Sequence, residues 1–355
     1  MQRLIFGITL FLFVGTLNAE VNFLKGTFAD ALREATRRQK PVMVDFTTDW
    51  CRWCDTLDVH TYADDSVALF VNEQVVPIKI DAEKGEGIEI AKNYSVQGYP
   101  TILVLKADGE EIDRMLGYIE PRTFLATLKD YVHGENTIGV LKVRVSEHPE
   151  DAALRYAIAK KYAERNDLAA AGMHFQKLLE LDPQNALGHG EEAQFTVAVS
   201  SLRAEKSPKR LAAFVESFPH SDQKRDALRM LWRFYIREKD GPQGRKYFSQ
   251  YVETWPADAA MMNNYAWTCA ENGVNLEHAD EIIRRAVELA PNDEEKAAFI
   301  DTHAAVRFAQ GDTRTAVTLE EKALGLVEKL PNADTKPYEE ALAKFRAAAK
   351  PASPR

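Results

Sequence analysis

The chain contains little cysteine, with only three such residues among 355. Two of them, Cys51 and Cys54, stand together in the stretch FTTDWCRWCDTL. A second Cys-x-x-Cys or a paired-histidine motif, which would complete a four-ligand structural zinc site, is missing. Covalent haem attachment needs a histidine directly after the second cysteine, where this chain has Asp55. Two interpretations stay open: a structural disulfide, which would close a short loop and stabilise little, or a redox pair.

The sequence also lacks an excess of positive charge, because its formal net charge is −9 at pH 7. An acidic chain does not offer the basic surface that binds nucleic acid or anionic lipid. We therefore expect neither of these among its partners. The composition, 45% hydrophobic and 28% charged, is that of a globular protein long enough for two domains.

Long apolar runs are missing after the N-terminus. The first 19 residues, MQRLIFGITLFLFVGTLNA, place Arg3 before an apolar run and small residues before Ala19, the layout of a secretory signal peptide. The run is shorter than the roughly 20 residues that span a bilayer. We predict that residues 1–19 are a cleaved signal peptide and that the mature chain is periplasmic, where disulfide chemistry operates. An uncleaved N-terminal membrane anchor is the alternative.

Residues 20–135 alternate between helical and strand patterns. A helical pattern follows Thr27, a candidate N-cap, and the run VMVDF predicts a buried strand directly before the cysteine pair. The segment QVVPIKID predicts a second strand, and TILVLKADGEEIDRML predicts two strands around an Asp108-Gly109 turn. A helix is predicted to begin at Pro121. These patterns indicate a small α/β domain with helices packed on a sheet.

Residues 136–350 show alanine-rich helical patterns in place of strands, and residues 351–355 are predicted to be a tail. Prolines close successive helical segments at Pro149, Pro183, Pro219, Pro256, Pro291 and Pro331. Subtracting neighbours gives gaps of 34, 36, 37, 35 and 40 residues. This period resembles that of tetratricopeptide repeats, helix-turn-helix units that stack into a solenoid and bind proteins.

Aromatic and alanine residues recur at matching places in most of these repeats, although the unit that ends at Pro219 fits poorly. We expect these residues in the core: Tyr162, Ala171, Phe175, Trp232, Tyr235, Phe248, Trp267, Ala279 and Ala286. The last helical segment, KPYEEALAKFRAAAK, is predicted to cap the array.

A strand followed by W-C-x-x-C at a helix start, and later by VQGYPTILVL, resembles the thioredoxin superfamily over about residues 23–133. Within it, the segment FTTDWCRWCDTLDVHTY is most similar to the C-terminal domain of the periplasmic transmembrane electron carrier DsbD and to exported W-C-x-W-C proteins. The expected fold class is therefore an α/β thioredoxin fold followed by an all-α tetratricopeptide-repeat solenoid.

The resemblance implies catalytic roles for three residues. Cys51 is the attacking thiol, because a helix N-terminus favours its thiolate, and Cys54 is the resolving thiol of a redox-active disulfide. Asp45 matches a buried carboxylate that takes the Cys54 proton. The lysine that pairs with this carboxylate in the family falls on Pro77 here, with Lys79 as the nearest lysine. We therefore expect proton transfer to be tuned differently.

The resemblance also implies a substrate groove beside the cysteines. Pro100 matches a cis-proline of the family, which completes the catalytic set. The backbone at Tyr99 is expected to pair with an extended client segment. Trp50 and Trp53, which flank the first cysteine, are assigned to substrate binding, and Trp50 is also expected to pack under the site.

The predicted function is an exported thiol-disulfide oxidoreductase, in the direction of protein-disulfide reduction, that needs no metal or other cofactor. Its expected partners are protein disulfides or dithiols and an upstream electron donor, for which a membrane thiol carrier is one candidate. Cys269 is expected to be a buried, inert thiol. Two alternatives remain: a repeat-based binding protein with an incidental redox domain, and a disulfide oxidase or isomerase.

Overall fold

The computed structural model describes residues 20–331 and 333–349. The chain divides into two compact units, with the boundary between Ala193 and Gln194. The predicted signal peptide and the C-terminal tail lie outside the described residues. Among the helices of the described ranges, none is both long and apolar enough to cross a membrane.

A four-stranded mixed sheet forms the centre of the first unit. Its strands are β1 Val42–Thr47, β2 Val76–Asp81, β3 Thr101–Leu105 and β4 Glu111–Leu116. The order across the sheet is β2-β1-β3-β4. Strand β1 runs parallel to β2 and antiparallel to β3, and β4 pairs antiparallel with β3. The predicted turn at Asp108-Gly109 is confirmed, with Gly109 at a φ of 90° that favours glycine.

Among the described residues of this unit, eight α-helices lie wholly within it. They are α1 Phe28–Arg38, α2 Arg52–Thr56, α3 Asp65–Gln74, α4 Gly87–Asn93, α5 Pro121–His133, α6 Ile138–Glu147, α7 Ala152–Glu164 and α8 Leu168–Leu181. Helix α2 continues into a π-helical turn, Leu57–Thr61. Helices α1 and α4 cover one face of the sheet; the π-helical turn, α3 and α5 cover the other. Since both faces are covered, β1 is buried along nearly its whole length.

Local sequence signals account for several of these boundaries. Thr27 caps α1 and forms a reciprocal capping box with Asp30, as its position predicted. Helix α3 occupies a segment for which the sequence patterns gave no helix, and α6 opens the region from residue 136 that was predicted to be helical. The segment from His133 to Leu141 contains the end of α5 and the start of α6. Only residues 134–137 lie between α5 and α6, and α6–α8 belong to the first unit.

The second unit is entirely helical in its described residues. The remaining helices are α9 Gly190–Glu205, which crosses the unit boundary, α10 Lys209–Ser217, α11 Lys224–Arg237, α12 Gly241–Thr254, α13 Ala259–Asn272, α14 Leu276–Leu289, α15 Asp293–Ala309, α16 Thr313–Val327 and α17 Lys336–Ala349. Consecutive helices pack as pairs, α11 with α12, α13 with α14 and α15 with α16. The expected architecture, an α/β domain followed by an array of helix pairs, is confirmed.

Most of the predicted repeat core is buried. The fully buried members are Ala171, Phe175, Trp232, Phe248, Ala279 and Ala286. Tyr162 and Tyr235 are half-buried. The prediction for Trp267 is wrong, because its side chain is 42% exposed while its neighbours Tyr265 and Ala266 fill the core face of α13.

Candidate active site

The cysteine pair lies where β1 ends and α2 begins. Cys51 is the N-cap of α2, and its sulfur accepts a hydrogen bond from the Cys54 backbone N–H at 3.1 Å. The two side chains are joined as a disulfide. Both cysteines are buried, with Cys51 6% and Cys54 2% exposed, so Cys51 is the more accessible of the two. A thiolate at this helix start would accept the same hydrogen bond from the Cys54 backbone N–H, which favours the charged form of a cysteine.

A fully buried carboxylate lies on the strand that leads into the disulfide. Asp45 in β1 is 0% exposed, and neither of its carboxylate oxygens has a hydrogen-bond partner among the described residues. Because side chains alternate along β1, Asp45 lies on the same face of the sheet as Met43, the face that packs against Leu57 of the π-helical turn. Burial raises the pKa of Asp45 to about 6, although the nearby charge of Lys79 acts in the opposite direction.

A lysine on the neighbouring strand lies close to the Asp45 carboxylate. In the parallel pairing of β1 with β2, Pro77 lies opposite Met43 and Lys79 lies opposite Asp45. The Lys79 Nζ is 3.6 Å from the Asp45 carboxylate, and it also forms an ion pair with Asp58. The assignment of the lysine position to Pro77 is therefore wrong, because Lys79 lies opposite Asp45. Lys79 lies two residues after Pro77 on β2. Because side chains alternate along a strand, both residues lie on the same face of the sheet, so the error in position did not change the face.

The predicted cis-proline lies between Tyr99 and the start of β3. The Tyr99-Pro100 peptide bond is cis, and the carbonyl of Pro100 accepts a hydrogen bond from the backbone N–H of Gly117 at 2.8 Å. Pro100 itself is buried. The ring of Tyr99 makes an edge contact with Trp50, with ring centroids 6.0 Å apart. This contact brings the proline segment next to the cysteine loop.

Two tryptophans expose a large apolar surface beside the disulfide. Trp50 is 66% exposed and Trp53 is 61% exposed. The indole N–H of Trp50 donates to Glu83, and Trp53 stacks on Tyr118 with centroids 6.1 Å apart. The expectation that Trp50 packs under the site is wrong, because the loop before α2 turns its ring outward. An exposed apolar patch of this kind is typical of a surface that contacts another protein.

Three contributors to the site were missed by the sequence analysis: Glu83, Tyr118 and Tyr62. Burial and the neighbouring Asp45 raise the pKa of Tyr62 well above its usual range. The partners of Trp50 and Asp45 come from residues that are distant in sequence.

Cys269 lies in α13 of the second unit and is fully buried. Burial raises the pKa of its thiol to about 12. Such a thiol stays protonated at neutral pH and is a poor nucleophile. Across the described ranges, no group of three histidine, cysteine, aspartate or glutamate side chains could hold a metal ion.

A known protein family matches the part of the chain that contains this site. Residues 28–132 match the family described as a thioredoxin-like domain. They form a thioredoxin-like domain. The thiol:disulfide interchange protein DsbD of Salmonella typhi is 32% identical over 117 residues, which are 32% of this chain and 21% of the relative. The chain thus spans about a fifth of the length of such curated relatives. The domain and its Cys51–Cys54 disulfide support a thiol-disulfide redox role.

Solved structures resemble each part of the chain. A putative disulphide-isomerase from Bacteroides thetaiotaomicron is 35% identical, covering 33% of this chain and 97% of that protein with a TM-score of 0.31. YrrB, a TPR protein with an unusual peptide-binding site, is 17% identical, covering 58% of this chain and 97% of that protein with a TM-score of 0.40.

Proposed function

We propose that this protein is an exported protein-disulfide reductase that uses Cys51 and Cys54 as its dithiol. The observation that carries the proposal is a pair of features at the disulfide: Asp45, a fully buried carboxylate on the strand that leads into Cys51, and the exposed rings of Trp50 and Trp53. The first can accept a proton, and the second can contact a client protein. The export step rests on residues 1–19 and is tested by finding the N-terminus of the mature protein.

The chemistry balances as two thiol-disulfide exchanges. The Cys51 thiolate attacks one sulfur of a client disulfide, which forms a mixed disulfide and releases the other client sulfur as a thiolate that takes up a proton. Asp45 accepts the proton of the Cys54 thiol. The Cys54 thiolate then attacks the Cys51 sulfur and releases the second client thiolate. The client gains two electrons, and the protein becomes the disulfide form described above.

Reuse of the protein requires a dithiol donor that returns two electrons to the Cys51–Cys54 disulfide. The DsbD relatives are thiol:disulfide interchange proteins by name. A membrane thiol carrier of that class is our proposed donor.

The experiment is a single-turnover reaction between the fully reduced protein and an excess of a protein disulfide such as insulin. We expect each protein molecule to lose two thiols while the client gains two. A Cys54→Ser variant should stop at a mixed disulfide through Cys51, and Cys269→Ser should behave as the wild type. A protein that binds clients without thiol transfer would favour the alternative of a binding protein with an incidental redox domain.

We further propose that the helical array holds the client while the disulfide reacts. The support lies in the second unit, where the exposed Trp267 borders a groove of about 450 Å³ together with Phe308 and Phe345. A second binding site on the same chain raises the effective concentration of the client, to about the millimolar range for a short link.

The array proposal is tested in the full chain that carries Cys54→Ser. Replacing Trp267 with alanine should reduce the amount of trapped client protein and leave the reaction with a small disulfide unchanged. Leu289→Ala is the matched control, because Leu289 is similarly exposed, at 41%, on α14. Equal trapping by the two variants would mean that the groove does not hold clients.

A further inference from the structure

The segment that carries the cis-proline is held from outside the thioredoxin-like domain. Residues 94–100 connect α4 to β3. Asn166, in the turn between α7 and α8, donates its side-chain amide to the Gln97 side-chain oxygen at 2.6 Å. A cleft of about 230 Å³ lies between residues 95–98 and residues 163–166. The hydrogen bond therefore spans an open space, and the segment is tethered there by side chains.

The α7 end of this tether is firmly anchored to the sheet. Arg165 donates to the carboxylates of Asp113 at 2.7 Å and Glu111 at 2.8 Å on β4. Asp113 is fully buried, and it also pairs with Lys161 at 3.1 Å. Breaking such a buried pair leaves an uncompensated charge, which is strongly unfavourable. The C-terminal end of α7 is thus fixed against the outer strand of the sheet.

A second connection reaches the other end of the same segment. The guanidinium of Arg114 is held by Glu111, the carboxylate that also binds Arg165. Arg114 donates at the same time to the backbone carbonyl of Tyr94 at 2.8 Å. Tyr94 is therefore tied to β4 and Gln97 to the turn after α7, and both β4 and α7 are joined through Glu111. Tyr99 and Pro100 follow directly in the chain.

We propose that Asn166 is a positioning residue of the redox site, acting through Gln97 to hold the segment that carries Pro100 in the conformation that receives a client. This inference rests on the proposed function. The helix pair α7–α8 then serves the redox chemistry, in addition to any part that the helices of the second unit have in holding clients. Because ordering a free segment costs conformational entropy on binding, a preformed one binds clients more tightly.

The test uses full-length variants that preserve the backbone. Asn166 has a left-handed φ of 55°, which glycine adopts without strain, so Asn166→Gly removes the amide alone. Asn185→Gly is the matched control, since Asn185 has a φ of 51° in the turn after α8. We expect Asn166→Gly to raise KM for a protein disulfide about threefold to tenfold, the net effect of one hydrogen bond. The kcat, the reduction potential and the rate with a small disulfide should stay unchanged.

A double-mutant cycle with Gln97→Ala separates positioning from a general structural effect. In the Gln97→Ala background, Asn166→Gly should have no further effect on KM. The inference is overturned by an unchanged KM, by an equal rise in Asn185→Gly, or by an effect of Asn166→Gly that persists without Gln97. Failure of the wild-type protein to reduce even the small disulfide would instead overturn the proposed function.

Discussion

Replacing Asp45 with asparagine should stabilise the oxidised protein at neutral pH. The pKa of this carboxyl rises from 3.8 to about 6 on folding, mainly because of burial. Because this pKa is raised in the folded state, the stability that depends on a protonated Asp45 is fully present below about pH 4 and is lost as the pH rises through 6. The difference of about 2 units corresponds to about 3 kcal/mol. The neutral amide of the asparagine would resemble the protonated acid, so the gain should reach about 3 kcal/mol at pH 7.5 and nearly vanish at pH 4.

Hydrogen exchange of the sheet amides, read on peptides that cover β1 and β3, measures this free energy within the first unit. The opening free energy of the variant should exceed that of the wild type at pH 7.5, and the two should coincide at pH 4. Destabilisation at both pH values would refute the reasoning, since it would mean that the carboxylate has favourable contacts. Asp49→Asn is the control; Asp49 is exposed, and its replacement should change stability by less than about 0.5 kcal/mol.

Although Asp45→Asn should stabilise the folded protein, it should slow the thiol-disulfide exchange reaction. Without a carboxylate to accept the Cys54 proton, resolution of the mixed disulfide should fall by about 10²-fold or more at neutral pH. In the wild type, this step should slow as pH falls below about 6, where Asp45 becomes protonated. A stopped-flow measurement of client release reports the step. An unchanged rate in the variant would assign the proton to another acceptor.

Three further predictions follow from burial and charge. In the reduced protein, Cys51 should react with iodoacetamide at neutral pH much faster than Cys269, whose buried thiol has a pKa of about 12; mass spectrometry of the labelled peptides measures both, and equal rates would contradict the assignment. Lys79→Met should raise the pKa of Asp45 further, and the pH profile of client release should move to higher pH. Asp113→Ala should lower the opening free energy of the first unit by about 3–5 kcal/mol in hydrogen exchange; a change under about 1 kcal/mol would mean that its ion pairs are dispensable.

The sequence was sufficient for the parts of the site that depend on local pattern. The strand with Asp45 was predicted from its apolar run, and the places of the cysteine pair and of Pro100 were implied by the resemblance of short motifs to the thioredoxin superfamily. The proline period likewise predicted helix pairs, because each pair repeats the same local signals.

The errors arose where tertiary pairing decides the outcome. Lys79 was misplaced because strand register is set by pairing across the sheet, which a single sequence does not show. Trp50 was expected to pack under the site on the family resemblance, and Trp267 was expected in the core from its place in the repeat, yet both are exposed. The contact of Asn166 with Gln97 joins residues 69 positions apart, and no periodicity marks it.

The reduction potential of the Cys51–Cys54 pair tests the central claim most directly. It is measured by equilibrating the full-length protein with glutathione redox buffers and counting the free thiols of the pair. A protein-disulfide reductase should have a potential of about −230 mV or lower, in the range of glutaredoxins and thioredoxins. A value near about −180 mV or higher, as in isomerases and strong oxidants, would contradict the reductase direction.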